Sequence, residues 1–232
     1  MKILGLQKTT LIDYPGKIAC TIFLFSCNFQ CGFCYNAELV NGKPTGCFSE
    51  EKIFDFLEKK KGKLDGVCIT GGEPLLTIEK DFVKKIKEMG FLVKIDTNGS
   101  NPEKLKELIE EKLIDYVAMD IKNSKEKYNS TTQTEIDLNK IEESIKIISK
   151  LDKYEFRTTV VSDLHTKNDI KEIGEWFKSL GIKPKKYFLQ GFKHDGNFID
   201  KTYSKKPNTT EKYLYELKEI AQPYFERVMV RY

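Results

Sequence analysis

The densest run of chemically capable side chains is Cys27-Asn28-Phe29-Gln30-Cys31-Gly32-Phe33-Cys34, three thiols at C-x3-C-x2-C spacing. A loop this short lets three sulfurs converge on one centre, and thiolates are soft ligands suited to zinc or an iron–sulfur cluster. A structural zinc or an electron-transfer cluster normally takes four protein ligands. The remaining thiols are Cys20, Cys47 and Cys68. Cys20 and Cys68 fall inside apolar runs and read as core residues, whereas Cys47 lies in a loop and stays open as a fourth ligand. The preferred reading is a metal centre held by Cys27, Cys31 and Cys34 with one position left open.

Further polar groups close other apolar runs. Gly71-Gly72-Glu73-Pro74 reads as a tight turn or as a backbone able to approach a ligand closely. Asp96-Thr97-Asn98-Gly99 and Asp120-Ile121-Lys122 each place a carboxylate at the end of a buried run, where it must find a cation or several donors. An Asp120–Lys122 ion pair would satisfy that need within the chain. Asn98-Gly99 is also a turn former. Arg157 either binds a ligand or pairs with an aspartate. His165 reads as a cap for the following helix and His194 as a solvated loop residue, with contact to a nucleoside or an incoming substrate as the functional alternative.

Six short apolar runs alternate with amphipathic helical runs, the pattern of parallel strands joined by crossover helices in an α/β fold. The expected strands are Ile18 to Phe25, Gly66 to Thr70, Phe91 to Asp96, Tyr116 to Ile121, Glu155 to Val161 and Lys186 to Gln190. Helical spacing is clearest in Leu138, Ile141, Ile145 and Ile148, and in Ile170, Ile173, Phe177 and Leu180. Ser49, Thr77 and Asn101 before Pro102 are expected helix starts, and Gly90 and Gly181 expected stops. One domain over 1–232 is expected, with an N-terminal extension over 1–17. After Gln190 come a turn-rich segment, a helix around Glu211 to Ile220 and a terminal run, Arg227 to Val230.

The 39 basic and 35 acidic residues leave a net charge of +4, too balanced to indicate a nucleic-acid partner. No apolar run approaches the ~20 residues needed to cross a bilayer, and the N-terminus lacks a secretory pattern. The expected location is the cytoplasm, where cysteines serve as thiols or metal ligands rather than disulfides.

The cysteine loop followed by the aromatic Tyr35 resembles the cluster loop of radical S-adenosylmethionine (SAM) enzymes. Residues Gly5 to Val40, GLQKTTLIDYPGKIACTIFLFSCNFQCGFCYNAELV, resemble the opening of glycyl radical enzyme activases. The nearest likeness is to anaerobic ribonucleoside-triphosphate reductase activating proteins, with pyruvate formate-lyase activating enzymes as relatives. One departure is Tyr35, where many activases carry His. The resemblance implies a partial, open (β/α)6 barrel of parallel strands. Its site lies at the rim formed by the C-terminal strand ends, which the cysteine loop, Gly71-Gly72-Glu73-Pro74, Asp96-Thr97-Asn98-Gly99 and Asp120-Lys122 all follow.

The resemblance also implies a [4Fe-4S] cluster held by Cys27, Cys31 and Cys34, its fourth iron open to SAM. SAM contacts would come from Phe33, Cys34, Tyr35, Gly71, Gly72, Glu73, Asp96, Asn98, Lys122 and Gln190. A monovalent cation would sit among Asp96, Thr97, the Ala118 carbonyl and Asp120. The implied reaction is reductive cleavage of SAM to methionine and a 5′-deoxyadenosyl radical. That radical would take hydrogen from a glycine of a partner glycyl radical enzyme, anaerobic ribonucleotide reductase being the nearest candidate. Flavodoxin or ferredoxin would supply the electron. The enzymatic alternative is a small-molecule radical SAM enzyme such as 7-carboxy-7-deazaguanine synthase. The non-enzymatic one is a zinc-binding or electron-transfer module.

Overall fold

Strands form where Val, Ile and Phe cluster, and the helices between them bury one apolar stripe each. The structure is a computed structural model describing residues 1–232. The strands run in chain order, β1 to β8, and the residues group into two units.

The first unit comprises Met1–Asn28, Glu38–Thr97 and Glu103–Val117. Its parallel strands β2 (Ala19–Leu24), β3 (Gly66–Gly71) and β4 (Leu92–Thr97) pair in a register that sets Ile22 beside Ile69 and Cys68 beside Lys94. An antiparallel strand, β1 (Ile3–Thr10), pairs with β2. It lies within what the sequence suggested was only an extension. Most of its positions are only partly buried or exposed, so it lacks the apolar run that marks the other strands.

Between strands come the short α1 (Ala37–Asn41), α2 (Glu50–Glu58), α3 (Pro74–Thr77), α4 (Lys80–Glu88) and α5 (Pro102–Glu110). Ser49 caps α2 by accepting the Lys52 N–H, and Ile53 and Leu57 are buried beneath it. Helix α4 buries Phe82, Val83 and Ile86. Thr77 does not start a helix as expected: it ends α3, and Glu79 occupies the N-cap of α4. The Glu73 carboxylate caps α3, which moves that helix start upstream.

The second unit comprises Phe29–Ala37, Asn98–Pro102 and Ala118–Tyr232. Strand β5 (Tyr116–Asp120) leads into it. Then follow α6 (Tyr128–Thr132), α7 (Leu138–Ile148), β6 (Tyr154–Val160), α8 (Lys167–Ser179), β7 (Tyr187–Gly191), α9 (Glu211–Ala221) and β8 (Val228–Arg231). Strands β6, β7 and β8 are parallel. Ile141, Ile145 and Ile148 on α7 are fully buried, each contributing roughly 1.5–3 kcal/mol.

Alternation along β6 divides its side chains between two faces. Phe156 packs on Phe177, which meets Phe225, itself stacked 4.2 Å from Tyr187. Glu155 and Arg157 occupy the opposite face. Helix α8 begins at a capping box formed by Thr166 and Asp169. This corrects the expectation that His165 is the cap. No helix is long and apolar enough to cross a membrane.

Candidate active site

Strand β2 runs almost directly into Cys27. The Gly72 N–H donates to Leu24 O (2.9 Å) and the Glu73 N–H to Ser26 O (2.7 Å), tying the turn after β3 to the residue before Cys27. A Cβ on Gly71, whose φ is +124°, would lie 2.3 Å from Leu24 O, and one on Gly72 would lie 2.0 Å from Ser26 O. Only glycine permits this approach of backbone to backbone. Glu73 is fully buried. Its Oε1 accepts from the Leu75 N–H (3.1 Å) and from the Thr97 hydroxyl (2.7 Å). Two residues expected to touch ligands therefore meet each other.

Along β4, Lys94 and Asp96 share a face. Lys94 is 1% exposed. Its ammonium contacts Asp96 Oδ1 and lies 3.7 Å from Cys68 Sγ. Cys20 and Cys68 are buried, whereas Cys47 is exposed with its thiol directed at Pro44 O.

In the second unit, Asn98 and Gly99 form a turn. Asn98 Oδ1 accepts from the Ser100 N–H (2.9 Å), and Gly99, at φ +78°, packs so closely on Met119 that a Cβ would lie 2.0 Å from its methyl carbon. The Ser144 hydroxyl donates to Gly99 O. Ala118 is buried in β5.

Asp120 sits between two cations: Lys122 Nζ is 3.0 Å from Oδ2 and Arg157 Nε is 2.8 Å from Oδ1. Burial alone would raise the Asp120 pKa, but the charges of Arg157 and Lys122 hold its carboxyl well below the usual range. Burial likewise works against the Lys122 ammonium, and Asp120 overrides it, raising the lysine's pKa above its ordinary value. The polar face continues to Glu155, 1% exposed, which receives both Nη1 and Nη2 of Arg231 at 2.8 and 2.9 Å. Arg231 Nη1 also donates to Gln190 Oε1 at 3.0 Å. The guanidinium lies over the Phe188 ring, 3.6 Å from its centroid.

Cys31 and Cys34 are joined by a tight turn, Cys34 N–H to Cys31 O at 3.0 Å. Burial pushes the Cys31 thiol up to about 11 despite the opposing Lys122 charge, and burial also raises Cys34. The segment after β7 braces this loop. The Asp200 N–H donates to Gly32 O, and Asn36 bridges to Asn197. The Phe33 ring meets those of His165, edge-on at 6.3 Å, and Tyr203 at 6.1 Å. Tyr35 packs on Phe192 and Phe198, and its hydroxyl accepts from the Lys193 N–H at 2.7 Å. His194 is exposed.

His165 is a buried brace. Its Nδ1 accepts from the Val161 N–H (3.0 Å), which leaves Nε2 to donate to Lys122 O (2.7 Å). Burial holds the His165 pKa below its ordinary value. Because the unfolded chain takes up that proton first, His165 contributes stability above about pH 6.5 that is lost as the pH falls towards its folded value, at up to about 1.4 kcal/mol per unit. Urea unfolding between pH 7 and 5.5, about one unit below the ordinary imidazole value, is expected to show this slope, and His165→Gln to flatten it.

The donor set suits a thiolate-ligated cluster. All six cysteines are free thiols, and three of them lie in one loop. Ligation by these thiols would release their protons. Lys94, Glu155 and Arg231 belong to none of the motifs, yet their charges line these polar faces. For the first two the signal was a pair of charges two residues apart inside an apolar strand, Lys94 with Asp96 and Glu155 with Arg157.

A family model described as the radical SAM superfamily matches residues 21–180. A Methanocaldococcus jannaschii protein, named provisionally as a glycyl-radical enzyme activating enzyme, is 38% identical over 98% of this chain and 94% of its own. Shorter matches join the chain to a Methanopyrus kandleri 7-carboxy-7-deazaguanine synthase and a Pasteurella multocida anaerobic ribonucleoside-triphosphate reductase-activating protein. The first is 29% identical over 47% of this chain and 51% of its own, the second 31% over 34% and 54%. The crystal structure of a domain of a pyruvate-formate lyase-activating enzyme from Bacteroides vulgatus superposes with a TM-score of 0.56 at 22% identity. That superposition covers 71% of this chain and 98% of the other, and shows a shared fold. With its thiol loop inside the matched span and its parallel α/β fold shared with a solved relative, the chain belongs to the radical SAM superfamily.

Proposed function

We propose that this radical SAM enzyme activates a glycyl radical enzyme, with SAM as the source of the hydrogen-abstracting radical. The observation that carries the reading is 38% identity, over almost the full length of both chains, to a protein named for that activity. Membership in the superfamily implies a [4Fe-4S] cluster and SAM. When bound, the reduced cluster supplies one electron to the sulfonium, and the cofactor carries the radical chemistry.

The chain's own residues would bind and orient. Cys27, Cys31 and Cys34 would hold the cluster and leave one iron to SAM. The Gly71-Gly72 turn would set the position of the residues entering the loop. Lys122 and Arg157 keep their positive charge beside Asp120, the arrangement suited to an anionic carboxylate of SAM. Phe33 would pack at the wall behind the loop. Tyr35, Glu73, Asp96, Asn98 and Gln190 complete the proposed contacts. The partner would present a glycine within van der Waals reach of the radical. Anaerobic ribonucleotide reductase is the nearest candidate, flavodoxin or ferredoxin would supply the electron, and the cytoplasm would house the reaction.

The test is anaerobic incubation of the reconstituted protein with SAM, a reductant and each glycyl radical enzyme of its host. A glycyl radical signal in one partner is expected. SAM consumption without that signal in any partner would sink the activase reading and leave the superfamily assignment standing. The partial match to a deazaguanine synthase favours a second reading, and binding of a pterin-like compound would discriminate in its favour.

A further inference from the structure

The residues in which the family resemblance places a monovalent cation do not fit one, because the side chains of Asp96, Thr97 and Asp120 are already engaged within each unit. In the first unit, the Lys94 ammonium contacts Asp96 Oδ1. The Thr97 hydroxyl is turned towards Glu73, to which it donates at 2.7 Å. In the second unit, Asp120 accepts Lys122 on one oxygen and Arg157 on the other.

Lys94 is the unusual member. The β3–β4 register sets it beside Cys68, and the two are 1% and 0% exposed. An ammonium withdrawn from water this far persists only beside a counter-charge, and Asp96 provides it. Cys68 Sγ, 3.7 Å from the same nitrogen, is a poor ligand for a hard alkali cation but an acceptable weak acceptor for an ammonium.

We infer that Lys94 is a tethered cation: at Asp96 its ammonium takes the place of a diffusible sodium or potassium ion, and the chain works without binding either. Lys94 is a positioning residue, fixing the Asp96 carboxylate through charge. The inference does not rest on the activase reading, since its readouts need no partner protein.

The anaerobically reconstituted protein is compared in sodium, potassium, ammonium and tetramethylammonium chlorides at equal ionic strength. For the unsubstituted chain, the thermal midpoint is expected to move by less than about 1 °C between salts. SAM affinity, by equilibrium dialysis, is expected to change less than about twofold. In Lys94→Ala, which leaves room beside Asp96, SAM affinity in tetramethylammonium is expected to fall by about tenfold or more. Sodium or potassium should then restore it, raising the midpoint saturably by about 3 °C.

A tenfold salt-identity effect in the unsubstituted chain would overturn the inference, as would a folded Lys94→Ala protein indifferent to cations. Should that variant not fold in any salt, crystals of the unsubstituted protein soaked in rubidium decide the matter. Anomalous density at Asp96 refutes a tethered cation, and its absence there at a concentration that labels other sites supports one.

Discussion

Alanine at Cys27, Cys31 or Cys34 is expected to strip the anaerobically reconstituted protein of its cluster and reduce SAM cleavage to background, while the far-ultraviolet circular dichroism stays that of the folded chain. Loss of a group that merely orients a metal ligand costs about 10–100-fold in affinity or activity, so loss of a ligand itself should exceed about 100-fold. Iron content and the visible absorption of the reconstituted protein are the readouts. Cys47→Ala is the control. Its exposed thiol is directed at Pro44 O, and its removal is expected to leave iron content unchanged. Retention of a full cluster by any of the three loop variants, or its loss from Cys47→Ala, would overturn the three-thiolate assignment.

The largest effect on stability is expected from Asp120→Ala. Side-chain exposures of 26% for Asp120, 18% for Lys122 and 12% for Arg157 describe a largely withdrawn trio in which one carboxylate serves two cations. Deleting it leaves both without their shared partner, and breaking a buried pair typically costs about 3–5 kcal/mol. That is a large share of the roughly 5–15 kcal/mol that holds a domain folded. The measurement is the urea midpoint of the apo chain at neutral pH, and a loss below about 1 kcal/mol would mean that solvent screens the trio. The acid limb gives a second check. Because the folded pKa of Asp120 is depressed, its contribution is complete above the unfolded carboxyl value of about 4 and drains as the pH falls further. Asp120→Asn should flatten that limb.

The two experiments probe different layers of the site. In the proposed reading the thiols would be catalytic, because they would hold the reacting cofactor. Asp120 has a structural part, since its oxygens are engaged by Lys122 and Arg157. Glu73 has a structural part as well, since it caps α3 and binds Thr97. So does Asn98, whose side chain shapes a turn.

The six expected strands lie within a residue or so of β2 to β7 because a strand buried on both faces needs an uninterrupted apolar run, and such runs are visible in a single sequence. β1 lacked that mark, and β8 was visible only as a short terminal run. β1 is a partly exposed strand paired on β2, and its polar residues, Gln7 to Thr9, are exposed. The α8 start was misplaced by one residue because His165 and Thr166 are both plausible polar openers, and only the hydrogen bonds of the capping box separate them.

By itself the sequence determined the chemistry available: three thiols in one short loop, glycines where two strand ends crowd, and carboxylates closing buried strands. Those features are local, set by residue type and spacing. Only the tertiary structure decided which charges meet. Lys94 is set beside Cys68 by the β3–β4 register, and Arg157 reaches Asp120 from another strand. Arg231, next to the last residue, folds back onto Glu155 across 76 positions of chain. Pairing between distant residues depends on strand register and on the exclusion of water from the space they share, and neither is written in any one stretch of residues.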